Sequence, residues 1–196
     1  LTLKNVFEGD YFQISTLLGA PSVEDYNNAQ SARRFGVDIT YNTLGKKWNF
    51  SSGFSFQRND ISGRREGDVY TIIRDKYTRF PSDGERSFNE MNFSGRLTVD
   101  YQLSDQDMFS LGLYAGKRMK ERTADILYNN YAIIDDEIDY RFQYYNENLR
   151  VRKSDFVLGS LDYNHLFENS AMLHTSVLYE YTLLGGPTTN RNLGHP

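Results

Sequence analysis

The 196-residue sequence predicts an all-β, antiparallel fold on three observations. Aromatic side chains are abundant, with 15 Tyr, 13 Phe and 1 Trp, and they belong to the residue types that strands favour. Polarity alternates with period two through several long runs. Turns of three or four polar residues join these runs in pairs, as hairpins require.

The elements follow in chain order. A weak alternating run over residues 12–18 suggests a first strand. Phe35, Val37, Ile39 and Tyr41 then oppose Gly36, Asp38, Thr40 and Asn42. The clearest run puts Trp48, Phe50, Phe54 and Phe56 on one face and Asn49, Ser51, Gly53, Ser55 and Gln57 on the other. Phe93, Leu97, Val99, Tyr101 and Leu103 alternate with Ser94, Arg96, Thr98, Asp100 and Gln102. Phe109, Leu111, Leu113 and Ala115 oppose Ser110, Gly112 and Gly116. Val157, Leu161 and Tyr163 oppose Ser160 and Asp162; Leu173, Val177, Tyr179, Tyr181 and Leu183 oppose His174, Ser176, Glu180 and Thr182. Turns fall at 44–47, 104–107 and 168–170, with a leucine near each recurring roughly every 60 residues.

The mean hydropathy is −0.63, and no window approaches the 18 or more apolar residues of a spanning helix. A chain that spans with strands is polar on average, because lipid-facing and lumen-facing side chains alternate. The runs over 91–103 and 156–167 exceed the roughly 5–6 residues of a soluble strand and suffice for the roughly 9–11 of a bilayer crossing. Tyr41, Trp48, Tyr101, Phe109, Tyr163 and Phe167 sit beside the short turns, as an interfacial aromatic girdle would. Phe56, Phe88 and Phe93 form a second set toward the other end. There, two long polar segments over 59–87 and 122–139 suggest loops. The expectation is a segment of an antiparallel transmembrane β-barrel, with about 6–7 long strands, short periplasmic turns and long extracellular loops. The chain starts at Leu1 with no basic and apolar leader and stops in a loop-like stretch, which suggests an internal piece: residues 1–196 as a partial barrel.

Chemistry-bearing residues are sparse. The absence of Cys excludes a disulfide scaffold, a thiolate metal site and a thiol nucleophile. A net charge of −4 argues against a nucleic-acid partner. His165 and His174 have opposite strand parity and so point to opposite faces, while His195 lies in the terminal stretch. Asp135, Asp136, Glu137 and Asp139 lack the Gly-punctuated spacing of a calcium loop and read as a solvated charge run. No catalytic arrangement, cofactor or metal site emerges, and no enzyme is expected. In or beside the first long polar segment, Arg58, Arg64, Arg65, Arg74, Lys76, Arg79 and Arg86 interleave with Tyr70 and Tyr77. The plain reading is a solvated loop, and Arg64, Arg65, Arg74, Tyr70 and Tyr77 are the candidates for capture of an anionic solute or lipopolysaccharide phosphates.

The segments Phe93-Ser94-Gly95-Arg96-Leu97-Thr98-Val99-Asp100-Tyr101 and Tyr179-Glu180-Tyr181-Thr182-Leu183-Leu184-Gly185-Gly186-Pro187 resemble the barrel of TonB-dependent outer-membrane receptors of the Bacteroides type. The resemblance covers most of residues 31–187 and rests on strand patterns. It implies a fragment of a receptor in the bacterial outer membrane, taking up a solute whose class is open: siderophore, glycan, peptide or vitamin. The implied partners are outer-membrane lipid and lipopolysaccharide, with a plug domain and the TonB system in the full-length protein. No plug or TonB box is recognisable here. Asp38, Asn49, Gln57, Arg96, Asp100 and Glu180 would face the lumen and touch the plug or the solute. Family barrels have about 22 strands, so this chain would be a part of one. Two other readings stand beside it: a small complete outer-membrane barrel with an adhesive or structural role, and a soluble β-sandwich or lipocalin-like binder.

Overall fold

A computed structural model describes residues 9–20, 28 and 32–194. The described residues form one antiparallel sheet and contain no helix. Its strands are β1 (Gly9–Leu18), β2 (Arg34–Leu44), β3 (Trp48–Ile61), β4 (Arg64–Ile73), β5 (Lys76–Gln102), β6 (Asp107–Ile134), β7 (Glu137–Leu166), β8 (Met172–Gly185) and β9 (Thr188–Gly194). Chain neighbours are sheet neighbours, in the order β1-β2-β3-β5-β6-β7-β8, with β4 also on β5 and β9 also on β7.

Two of these strands continue others. β3 and β4 keep one register along β5 and are interrupted only at Ser62-Gly63, where the Arg86 N–H donates to the Gly63 carbonyl at 2.9 Å. β8 and β9 likewise keep one register along β7. Their interruption is Gly186-Pro187, with Gly186 at φ 131 and the Val151 N–H donating to the Pro187 carbonyl at 2.9 Å. Proline has no N–H to offer, and it sits where none is needed, on an outer strand. The fold is thus a meander of seven strand paths, in line with the 6–7 strands expected. The sheet is not closed, because β1 and the β8–β9 path each pair on one side only.

The short turns lie at one end, as expected. The long loops do not exist as loops. Residues 64–73 pair with 76–85, and 123–134 pair with 137–149, so both polar segments are hairpins. β5, β6 and β7 run for 27, 28 and 30 residues, far beyond the roughly 9–11 of a bilayer crossing. The second hairpin closes on Asp135-Asp136, both at positive φ (50° and 63°), the backbone of a type I′ turn that Asp tolerates. The acidic run there is therefore turn and strand, with Lys76 Nζ donating to Asp139 at 3.2 Å. Period-two contrast fades in these hairpins because both faces mix polar and apolar side chains, while the backbone ladder continues regardless.

Strand register sorts every side chain onto one of two faces. On the apolar face, four successive rows from Trp48 to Phe54 carry no charged residue anywhere from β2 to β8. At roughly 3.3 Å per residue these rows extend about 20 Å along the strands. The next row outward brings Lys117 and Asp155 together as an ion pair at 3.4 Å. No second layer covers this face among the described residues: Trp48 is 56%, Leu161 50% and Val177 62% exposed. The chain exposes 14351 Å², against roughly 9,600 Å² for a folded soluble monomer of its mass. A sandwich would bury this face against another sheet.

Candidate functional site

The polar face carries the expected lumen residues. Register places Asp38, Asn49, Gln57, Arg96, Asp100 and Glu180 on it together. Arg96 and Glu180 share one row, Gln13-Thr40-Gly53-Arg96-Tyr114-Leu158-Glu180, which crosses the sheet from edge to edge. The Arg96 side chain lies across Gly53 and donates to Thr40 Oγ1 at 2.8 Å. A Cβ at Gly53 would stand 2.5 Å from Arg96 Nε, so the glycine is the gap the guanidinium needs. The far end of the row opens into a groove lined by Thr98, Tyr114, Leu158, Ser160, Leu178 and Glu180.

A second row, Asn49-Asp100-Ser110-Asp162, runs nearer the short turns. Ser110 Oγ donates to Asp100 Oδ1 at 2.7 Å. Gln57 and Asp38 lie farther along, beside Asn92 and Ser55. Gly53 and Thr40 were not singled out from sequence. A glycine in mid-strand opposite a long cation was the available signal, but it needed the β3–β5 register to be read.

The girdle residues share the apolar face. Trp48, Tyr101, Phe109 and Tyr163 stand directly opposite one another across four strands. Trp48 and Tyr101 stack at 4.2 Å, and Phe109 and Tyr163 pack at 4.8 Å. Tyr41 lies on the same face, 6.2 Å from Phe50, and Phe167 meets His165 edge-on at 4.5 Å. In the second aromatic set, Phe56 and Phe93 oppose each other, with Phe35 and Phe56 5.8 Å apart. Phe88 is the exception. Its even position in β5 puts it on the polar face, beneath Lys120 and Arg122.

Below the aromatic row, Asp107 binds the turn together. It accepts from Ser104 Oγ and Tyr163 OH, both at 2.6 Å, and lies 2.7 Å from His165 Nδ1. These hydrogen bonds, that from Ser104 foremost, hold its carboxyl down at about 2. His174 sits on the opposite face, 2.7 Å from Asn164 Oδ1, as parity requires. His195 lies outside the described residues. No group of His and carboxylates arranged to hold a metal occurs among the described residues.

Four of the five capture candidates, Arg64, Arg65, Tyr70 and Tyr77, lie in strands and not in a loop. Arg64 and Arg65 lie in β4, and Arg64 is engaged by Asp83 and Glu66, the Asp83 hydrogen bond raising its pKa. Tyr70 and Tyr77 pack against each other at 5.4 Å across the hairpin. Arg74 occupies the turn itself, at φ 55. On this outer part of the apolar-parity face, Glu85, Asp125 and Glu147 stand in one row. Burial, followed by the two neighbouring carboxylates, pushes the Asp125 carboxyl up, against a lowering hydrogen bond from the Asn148 N–H.

A scan of family models finds no match to this chain, and a search of curated proteins finds none either.

Proposed function

We propose that the chain is part of an outer-membrane β-barrel of the TonB-dependent receptor kind, with its apolar face toward lipid and its polar face toward a solute path. The observation that carries this reading is the uncharged, uncovered band, four rows deep and continuous across β2 to β8. Water disfavours such a surface, while a bilayer matches it, because an outer-membrane barrel presents an apolar band about 25 Å tall flanked by aromatic girdles. The Trp48-Tyr101-Phe109-Tyr163 row lies at one border and the Lys117–Asp155 pair at the other.

The open edges favour a part over a small complete barrel. Unpaired strand edges are not tolerated in hydrocarbon, so β1 and β8 need further strands, as a barrel of about 22 would supply. In that setting the chain resides in the bacterial outer membrane against lipid and lipopolysaccharide. The polar face, with Arg96 and Glu180, meets a plug or a passing solute, and TonB delivers the energy. The test is solution behaviour. The purified chain is expected to be monodisperse only with detergent; a monodisperse, detergent-free monomer overturns the proposal.

A further inference from the structure

The polar face changes character just beyond the apolar band. Parity places Arg118, Lys120 and Arg122 of β6 there with Arg150 and Arg152 of β7, and Arg86 of β5 adjoins them. Two cation pairs are directly opposed in the ladder, Arg122 with Arg150 and Lys120 with Arg152. Like charges directly opposite one another destabilise a sheet, and this chain's net charge is −4, so general basicity does not account for the cluster.

Little among the described residues neutralises it. Glu90 approaches Lys120 at 3.8 Å. Among the described residues, Arg86, Arg118, Arg122, Arg150 and Arg152 make no ion pair. Arg122 Nε is buried without a hydrogen-bond acceptor, a costly state that a bound anion would relieve. Aromatic rings on the same face lie against the charged groups: the Arg118 guanidinium is 5.0 Å from the Phe156 ring, and the Lys120 ammonium and the Arg122 guanidinium are each 5.9 Å from the Phe88 ring. The cations thus stand on paired strands, and of these only Lys120 has a carboxylate partner among the described residues.

We propose that this basic terrace is a binding site for a soluble oligoanion, a solute carrying two or more phosphate or sulfate groups. Neighbouring strands are about 4.8 Å apart and alternate residues about 7 Å apart along a strand. The two opposed pairs therefore root four cations on a rectangle of that size, from which their long side chains can engage more than one phosphate or sulfate group. Arginine forks match such oxygens bidentately. The site's location at the mouth of the solute path rests on the membrane reading above, which turns this face away from lipid; the site's chemistry does not. A bilayer covering the apolar face cannot reach the terrace, which favours a solute over a lipid headgroup. Of the capture candidates that the sequence suggested in β4, Arg64 is engaged by Asp83 and Glu66.

Inorganic tripolyphosphate is the probe, measured by calorimetry on the folded 196-residue chain in zwitterionic micelles at low salt. Binding is expected to weaken about tenfold or more in Arg122→Gln/Arg150→Gln. Lys120→Gln/Arg152→Gln, at more exposed positions, should weaken it similarly and serves if the first variant does not fold. Lys46→Gln/Lys47→Gln removes the same charge at the opposite end and should change nothing. The proposal is overturned if the folded protein does not bind tripolyphosphate, if the control variant loses as much, or if binding needs vesicles containing lipopolysaccharide. Circular dichroism with and without micelles separates the two readings. A micelle-dependent fold that ignores tripolyphosphate sinks the terrace alone, and a detergent-free monomer that binds it sinks the barrel alone.

Discussion

Gly53, in mid-strand, and Asp107, at a short turn, show how single residues set local geometry in this sheet. Gly53 leaves the space through which Arg96 reaches Thr40 at 2.8 Å. A double-mutant cycle on Arg96 and Thr40, read by denaturant unfolding in micelles, should give a coupling of about 1 kcal/mol. In the Gly53→Val background the coupling should fall to near zero, because the new side chain takes the place of the guanidinium. Asp107 makes a prediction in pH. Its carboxyl is held at about 2, below the ordinary 3.8 of an aspartate, so its stabilising contribution is fully present above 3.8 and is lost as pH falls through 2. Carbon-detected NMR should find that titration, and Ser104→Ala should move it upward by removing the strongest of its hydrogen bonds.

At the scale of elements, the long hairpins carry the largest difference between expectation and structure. Apolar alternation made β2, β3 and the inner halves of β5 to β8 legible, because one face of each is uniformly apolar. In β4 and the outer halves of β5, β6 and β7, charges occupy both faces, and the pairing is specified by the continuing ladder and by the Asp135-Asp136 turn. The same cause hid the basic terrace. Arg118, Lys120 and Arg122 alternate within a run that looks simply charged, and only β7 register sets Arg150 and Arg152 beside them. The row Glu85-Asp125-Glu147 is the acidic counterpart on the other face. Its repulsion is full while Asp125 is ionised and is relieved as falling pH protonates its raised carboxyl. Asp125→Asn should therefore stabilise the protein by about 0.5–1 kcal/mol at pH 7. The gain should vanish in acid, as thermal unfolding at several pH values will show.

At the scale of the whole molecule, the described residues form a two-faced sheet without a core of its own. Its few buried apolar residues, Ala124, Ile126, Ala132, Val151 and Phe156, lie outside the four uncharged rows. Those rows are left bare on one side, while the other side holds the Arg96 row and the basic terrace. Parity alone groups Asp38, Asn49, Gln57, Arg96, Asp100 and Glu180 on one face, since that inference needs only strand direction and period. It could not place them in rows, nor tell which cations are free, since both depend on partners some 20 to 60 positions away in the chain. The central claim is that the bare face meets lipid, and Trp48 reports on it directly as the sole tryptophan. It stands 56% exposed at the border of the band. The decisive measurement is its fluorescence in the folded chain with brominated detergent and with acrylamide. The account predicts strong quenching by the brominated micelle and shielding from acrylamide. A folded sheet whose Trp48 is quenched freely by acrylamide and untouched by the brominated detergent would contradict it.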